Sequence, residues 1–387
     1  MNRFGTVCRK IAATIVASSL VFGASAAALH AGPKHFAYLD AETGRTYVPL
    51  RLMGEYAGAS VDWQPEAKRI DIRKDGKEIV LHVGSPEASI GGETQPLDAP
   101  PFARDGVTYV PLRFVGTALG LAVEWKQDIN AVRVARPDGE IRIPVVPLGS
   151  IRTDVSPIVH EARTFKAGGK SFKAQIITIS LMDPRVELDV VPAGGEIGRT
   201  EALSDIAKRY GAVLAINGAF FDAYTESDIK KPYGWLLNDG EVLNSGSADV
   251  RATFIYDKNH LAEVADGGDM PGLIGSGAID GAIQAGPRLV RDGKVDLDVE
   301  GERFQDPKIL TNSGARSALG ITRDHKLMLV TVPAATIPQL AEIMRQAGAW
   351  QAMNLDGGAS SGLYYNGKYV TTPGRLLSNA LIVKLER

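Results

Sequence analysis

The stretch Gly348–Ser361, GAWQAMNLDGGASS, decides the reading of this chain. A glycine opens it, an apolar run ends on Asn354, and then small residues surround Asp356. The pattern occurs once before, at Gly211–Asp222, GAVLAINGAFFD. An offset of 137 residues aligns Gly211 with Gly348, Leu203 with Leu340, Ile206 with Ile343 and Asn217 with Asn354. Thr200 is placed to cap a helix with Leu203, Ile206, Ala207 and Tyr210 on one face, closed by Gly211. Thr336 is placed to cap another with Leu340, Ile343, Met344 and Ala347 on one face, closed by Gly348. Each helix–strand unit therefore delivers an asparagine at the carboxyl end of a strand, followed by a loop of small residues. Such loops can differ while a sheet holds them still, so one common pocket is expected.

Three familiar chemistries fail on these residues. Gly358–Gly362 fits G-x-S-x-G, but a nucleophile elbow needs a helix after the turn and a histidine further on. Here the turn leads into LYYNGKYV, a hairpin with an Asn366-Gly367 turn, and the last histidine is His325. Gly275, Gly277 and Asp280 break G-x-G-x-x-G, and no phosphate-binding G-x-x-x-x-G-K-[ST] exists, so no nucleotide cofactor is expected. The histidines show no ligand spacing; Asp222, Glu226 and Asp228 could offer oxygens to a divalent cation, though such a loop is usually solvated. What survives is an anion site. A Gly-rich turn can present successive N–H groups to an oxyanion, with Ser360 and Ser361 as hydroxyl donors and Arg316 as a clamp.

The 387 residues, 44% hydrophobic and 23% charged, suffice for two globular domains. Arg3, Arg9 and Lys10 precede the apolar run Ile11–Gly23 and the small residues Ala24–Ala26. This reads as a signal peptide over 1–26, and the expected location is secreted or cell-surface. Cys8, the only cysteine, falls within it, which leaves no disulfide, thiol nucleophile or zinc-thiolate site. Loss of the three basic residues takes the formal charge from −2 to −5. No basic run suggests nucleic acid, and no later apolar stretch is long enough to span a bilayer.

Two organisations follow one another. TYVPLR at Thr46–Arg51 recurs at Thr108–Arg113, and VDW at Val61–Trp63 recurs as VEW at Val123–Trp125, both after 62 residues. Each copy predicts a strand, a helix (Leu50–Ala57, Leu112–Leu119) ended by glycine, then a strand carrying the tryptophan and another reading RIDIR or AVRVA. These residues resemble the copper amine oxidase N-terminal, stalk-like domain. No histidine cluster binds copper here, so the resemblance implies an envelope or spacer module over 36–145, with cell-wall or envelope polysaccharide as its expected partner. A proline-rich boundary at about 145–155 separates it from a second domain over 155–387. The expected class is α+β: a C-terminal mixed sheet with helices packed on it, preceded by a smaller α+β domain with an internal repeat.

Four ordered segments of the second domain resemble the phosphodiester glycosidases: AINGAFFD (Ala215–Asp222), AGPRLVRDG (Ala285–Gly293), ARSALGITRDHKLMLV (Ala315–Val330), and AMNLDGGASSGLYYNG with PGRLLSNALIV. The family often carries glycine where Ala219 and Ala359 stand, which puts the turn geometry in question. The resemblance implies hydrolysis of a sugar-1-phosphodiester of the N-acetylglucosamine-1-phosphate type, with no cofactor. Phosphate is already a good leaving group, so the site needs cations and N–H donors for it and a carboxylate near the anomeric carbon. Asp356 is expected as that carboxylate, with Asp222 behind it. Arg316, Gly357, Gly358, Ser360 and Ser361 would hold the phosphate, Arg288 and Arg375 would be secondary contacts, and Asn217 and Asn354 would bind sugar hydroxyls or orient a carboxylate. The alternatives are a non-catalytic envelope protein binding phosphate-containing surface glycan, and an exopolysaccharide remodelling factor.

Overall fold

The repeated TYVPLR segments meet each other. In the computed structural model, which describes residues 34–136, 139–246 and 250–386, strand Arg45–Pro49 pairs antiparallel with Val107–Pro111, placing Val48 opposite Val110. The expected leader, residues 1–26, lies outside the described residues. Each strand runs directly into a short helix, Leu50–Tyr56 and Leu112–Leu119. Leu50, Met53, Val115 and Leu119 from these helices pack into one core with Ile70, Ile72, Val132 and Val134. Gly58 and Gly120, at φ 72° and 64°, turn the chain out of the helices in the left-handed region that a side chain disfavours. A seven-stranded and a five-stranded sheet result, with Trp63 and Trp125 on the outermost strands Ser60–Gln64 and Ala122–Lys126.

The C-terminal part is built on three sheets. A seven-stranded sheet runs in the order Ile158–Ala167, Lys170–Ser180, Lys326–Ala335, Gly314–Ile321, Gln351–Asn354, Arg288–Arg291, Lys294–Val295. A five-stranded sheet runs Val186–Pro192, Asn379–Leu385, Leu214–Asn217, Leu363–Tyr365, Lys368–Thr371. A third centres on Gly281–Gln284 and Thr253–Tyr256. The strand pairings within these sheets are antiparallel, and a parallel pair joins Ala37–Leu39 to Val145–Pro147. Helices are few, and the class is α+β.

Alternation puts one face of each sheet into a common core. Ile177, Leu319, Leu329 and Met353 of the seven-stranded sheet meet Leu188, Val190, Leu214, Ile216 and Leu381 of the five-stranded one. On the outer face of the seven-stranded sheet lies helix Ile337–Ala347, which buries Leu340, Ile343 and Met344 against Ile176, Ala318, Val330 and Ala352. Each such side chain contributes about 1.5–3 kcal/mol through burial. Thr336 caps this helix and exchanges a second bond with Gln339, while Gly348 closes it at φ 103°. Helix Leu203–Arg209 covers the five-stranded sheet through Leu203, Ile206 and Ala207. Its expected cap fails. Ala202 occupies the cap position, because Glu201 is drawn into a paired bridge with Leu377, each N–H donating to the other's carbonyl at 2.9 Å.

The N-terminal and C-terminal regions share one core rather than touching at a point. Tyr38, Tyr47, Tyr109 and Val146 belong to the same cluster as Ile158, Leu188 and Phe254. Polar contacts reinforce the junction. Trp350 Nε1 donates to the Asp128 carbonyl (2.8 Å), Asn130 Nδ2 to that of Arg323 (2.8 Å), and His325 Nε2 bonds the Asn130 carbonyl (2.9 Å). Arg142 pairs with Glu263 at 2.8 Å. The described residues of both regions accordingly fall in one compact unit.

Candidate active site

Strands Leu214–Asn217 and Gln351–Asn354 lie in different sheets, and their ends meet across the core. Asn217 Nδ2 donates to the Asp356 carbonyl at 2.7 Å. Its Oδ1 accepts from Ser317 Oγ at 2.7 Å and from the Gly362 N–H at 3.0 Å. The Asp356 N–H in turn donates to the Gly218 carbonyl at 3.0 Å. Fully buried, Asn217 thus pins both ends of the Asp356–Gly362 loop and orients a carboxylate rather than meeting solvent. Asn354 is also fully buried; its Nδ2 donates to the Gly286 carbonyl at 2.8 Å.

Within the loop, Asp356 Oδ1 accepts from the Gly357 N–H at 2.8 Å and the carboxylate takes the Ser360 hydroxyl. Burial pushes the Asp356 carboxyl up to about 6, against the opposing pull of Ser360, Gly357, Arg375 and Lys308. The Ser360 and Ser361 N–H groups turn inward to the Gly357 and Gly358 carbonyls, both at 3.1 Å. Among the described residues no bond takes the Gly358 and Ala359 N–H groups, and both residues are exposed. Gly358 sits at φ 61°, where glycine is needed. Ala359 and Ala219 are not among the positive-φ residues, so alanine at these positions leaves the backbone unstrained. A short 3-10 turn, Gly358–Ser360, leads directly to strand Leu363–Tyr365, the opposite of an elbow helix.

Cations converge on this loop. Arg316 is 3% exposed. Its Nε donates to the Ala335 carbonyl (2.9 Å), and its Nη2 to the carbonyls of Lys308 (2.6 Å) and Asn312 (2.7 Å). Among the described residues no carboxylate pairs with it, and burial draws its pKa down. A methyl group on Gly357 would stand 3.1 Å from the Ala315 carbonyl and 3.7 Å from Arg316 Nη1, so glycine allows the turn to lie against the guanidinium. Arg375 and Lys308 also lie close enough to favour the charged form of Asp356. The Arg375 segment is fixed by the Gly374 N–H, which donates to the Ala359 carbonyl at 2.7 Å.

Two expected residues are engaged elsewhere. Arg288 Nη1 donates to the Val264 carbonyl (2.8 Å) and Nη2 to Asp266 (2.7 Å), so its guanidinium is a buried structural pair. Asp222 takes the Tyr233 hydroxyl, and its N–H donates to the Lys231 carbonyl at 2.9 Å. Those bonds stay within its own loop. Lys308 and Ser317 join the site without any sequence signal except Ser317, which adjoins Arg316. Among the described residues, no group of three or more His, Cys, Asp or Glu side chains is arranged to hold a metal.

The phosphodiester glycosidase family matches residues 210–384, and the copper amine oxidase N-terminal domain matches residues 36–134. No curated protein matches the sequence. A hypothetical protein from Synechocystis shares the fold at 15% identity and TM-score 0.53, over 90% of this chain and 96% of that one. The catalytic domain of zebrafish N-acetylglucosamine-1-phosphodiester alpha-N-acetylglucosaminidase, auto-inhibited by its pro-peptide, does so at 21% identity and TM-score 0.53, over 62% and 86%. At these identities the two structures speak for the fold. The ordered segments around Asn217, Arg316 and Asp356 lie inside the family match, and the chain therefore carries a phosphodiester glycosidase domain preceded by a copper amine oxidase N-terminal domain.

Proposed function

We propose that the chain hydrolyses a sugar-1-phosphodiester, of the N-acetylglucosamine-1-phosphate type, in envelope or extracellular glycans. The observation that carries this reading is the half-buried Asp356 carboxylate followed by the exposed residues Gly358 and Ala359, whose N–H groups no bond takes among the described residues, with Arg316, Lys308 and Arg375 nearby. The phosphate sits against the Gly358 and Ala359 N–H groups, and the cations stabilise the charge that grows on it as it departs. Asp356, as a carboxylate, stabilises positive charge at the anomeric carbon and accepts a proton from the attacking water. Water oxygen bonds to that carbon, and the bond from carbon to phosphate oxygen breaks. Its electron pair leaves on the phosphate monoester. Asn217 acts through the loop it pins; Asp222 is a supporting carboxylate at most.

The signal-like N-terminus supports secretion or display at the cell surface. The N-terminal domain, joined through a shared core, would carry the catalytic part to envelope polysaccharide. Incubating the protein with a sugar-1-phosphodiester and measuring released reducing sugar tests the reading. Release that disappears in Asp356→Asn supports hydrolysis; binding of the diester without any release favours a non-catalytic glycan-binding protein.

A further inference from the structure

In the seven-stranded sheet, the ladder between Lys170–Ser180 and Lys326–Ala335 pairs as far as Gln175 and Thr331. Two residues on, Pro333 has no N–H to continue it. A cavity of about 300 Å³ opens there, walled by Lys170, Ser171 and Lys173 on one strand, Pro333 on the other, and Ser313 and Gln339. Both lysines are exposed, and among the described residues neither ammonium has an ion-pair or hydrogen-bond partner. No residue lining the cavity is acidic. Gln339 is oriented by its own helix cap: its Oε1 accepts the Thr336 N–H at 2.9 Å, which leaves the amide Nε2 as a donor. Two cations, two hydroxyls and an amide thus line a space that holds no negative charge of its own.

The cavity lies at the same end of the sheet as the Asp356 loop. Lys170–Ser180 and Gly314–Ile321 begin there, and Lys326–Ala335 and Gln351–Asn354 end there, as their antiparallel registers require. From the first of these strands to the last is three strand spacings, about 14 Å. Arg316 lies between them. Its Nε holds the Ala335 carbonyl, next to the cavity, its Nη2 holds the Asn312 carbonyl, next to Ser313, and Gly357 lies against its guanidinium. We propose that the cavity binds a second phosphate of the same substrate chain, so that the substrate is a poly(sugar phosphate) rather than a lone diester. The proposal rests on the hydrolytic reading above and adds the chemical class of the polymer. Phosphate, unlike a neutral sugar, is a group that satisfies two lysines with no carboxylate partner. Once one phosphate lies at Gly358 and Ala359, the next is delivered at high local concentration. The second contact therefore tightens binding without acting on the bond that breaks.

The test uses two N-acetylglucosamine oligomers of equal sugar number, one phosphodiester-linked throughout and one with a single phosphodiester and glycosidic bonds elsewhere. Lys170→Ala/Lys173→Ala is expected to raise KM for the first roughly three- to twentyfold with kcat nearly unchanged, and to leave the second unaffected. It is also expected to flatten the dependence of KM on salt. Lys170→Arg/Lys173→Arg keeps the charge and is expected to keep the preference. Equal effects on both oligomers, or none on either, would overturn the cavity site while leaving the hydrolytic reading standing. Calorimetry with Asp356→Asn protein reads binding without turnover. A lysine-dependent preference for the first oligomer there supports the site even if the parent releases no sugar, an outcome that would overturn the hydrolytic reading alone. Inorganic phosphate binding the cavity as tightly as the oligomer would overturn the polymer in favour of a free anion. Far-UV circular dichroism of each variant separates these outcomes from misfolding.

Discussion

Asn217 and Asp356, 139 residues apart, are joined by a 2.7 Å hydrogen bond from the asparagine amide to the aspartate carbonyl. That bond ties the end of one sheet's strand to the loop leaving another sheet. It places the carboxylate by its backbone and leaves both carboxylate oxygens free for Gly357, Ser360 and substrate.

Asn217→Ala should therefore cost more than a surface change. It strands the Ser317 hydroxyl and the Gly362 N–H in a dry interior, a loss of about 2–4 kcal/mol. Urea unfolding measures this, and turnover should fall further than the folded fraction does, because the loop loses its anchor.

Asp356→Asn should abolish sugar release while the protein stays folded. The parent's kcat/KM should rise with pH through about 6, where burial sets the carboxyl group's ionisation, since the reaction needs the charged form. Stability runs the other way. A carboxyl whose folded pKa lies above its ordinary value favours folding when protonated, an advantage full below about 4 and lost as pH rises through about 6. Asp356→Asn should thus gain stability over the parent at pH 8 and little at pH 4, as thermal unfolding at the two pH values would show.

Arg316→Lys should behave unlike a conservative change. An ammonium cannot reproduce the fork that reaches the Ala335, Lys308 and Asn312 carbonyls, so the variant should lose about 2–4 kcal/mol and most of its activity. Arg288→Lys should lower the melting temperature by weakening the Asp266 pair, yet leave kcat of the folded protein within about twofold, because its guanidinium lies off the site.

Gly358→Ala should destabilise the loop by about 1–2 kcal/mol, the cost of a side chain in the left-handed region. Ala359→Gly should be tolerated. Diester binding followed by calorimetry distinguishes the two, with affinity lost only in the first.

A chain begun at residue 150 should be poorly soluble. It would expose the apolar surface that Tyr38, Tyr47, Tyr109 and Val146 now cover. The milder Trp350→Phe removes one bond to Asp128 and should cost about 0.5–1.5 kcal/mol, read by thermal unfolding.

Local signals carried far where local physics decides. The Thr336 cap, the Gly348 stop and the Asn366-Gly367 turn formed as read, because each depends on bonds within a few residues. The Thr200 cap did not, because the Glu201 backbone pairs with Leu377 and Ala202 takes the cap position. Spacing relates Asn217 to Asn354, and in the structure Asn217 bonds the loop that follows Asn354 while Asn354 bonds Gly286. Their strands belong to two facing antiparallel sheets.

The arginines mark the limit. Arg288 and Arg316 each stand near the start of a strand, and nothing in the sequence says which of them meets a carboxylate. Folding gives one a carboxylate from another hairpin and leaves the other among carbonyls, because charge pairing depends on distance in space and not along the chain. The sequence by itself determined the repeat, the two helix–strand units, the glycine loop and the residue types an anion site requires. Only the tertiary structure decided which of those residues meet, that Lys308 joins them, and that the N-terminal domain closes the core; each of these rests on contacts between segments far apart in the chain.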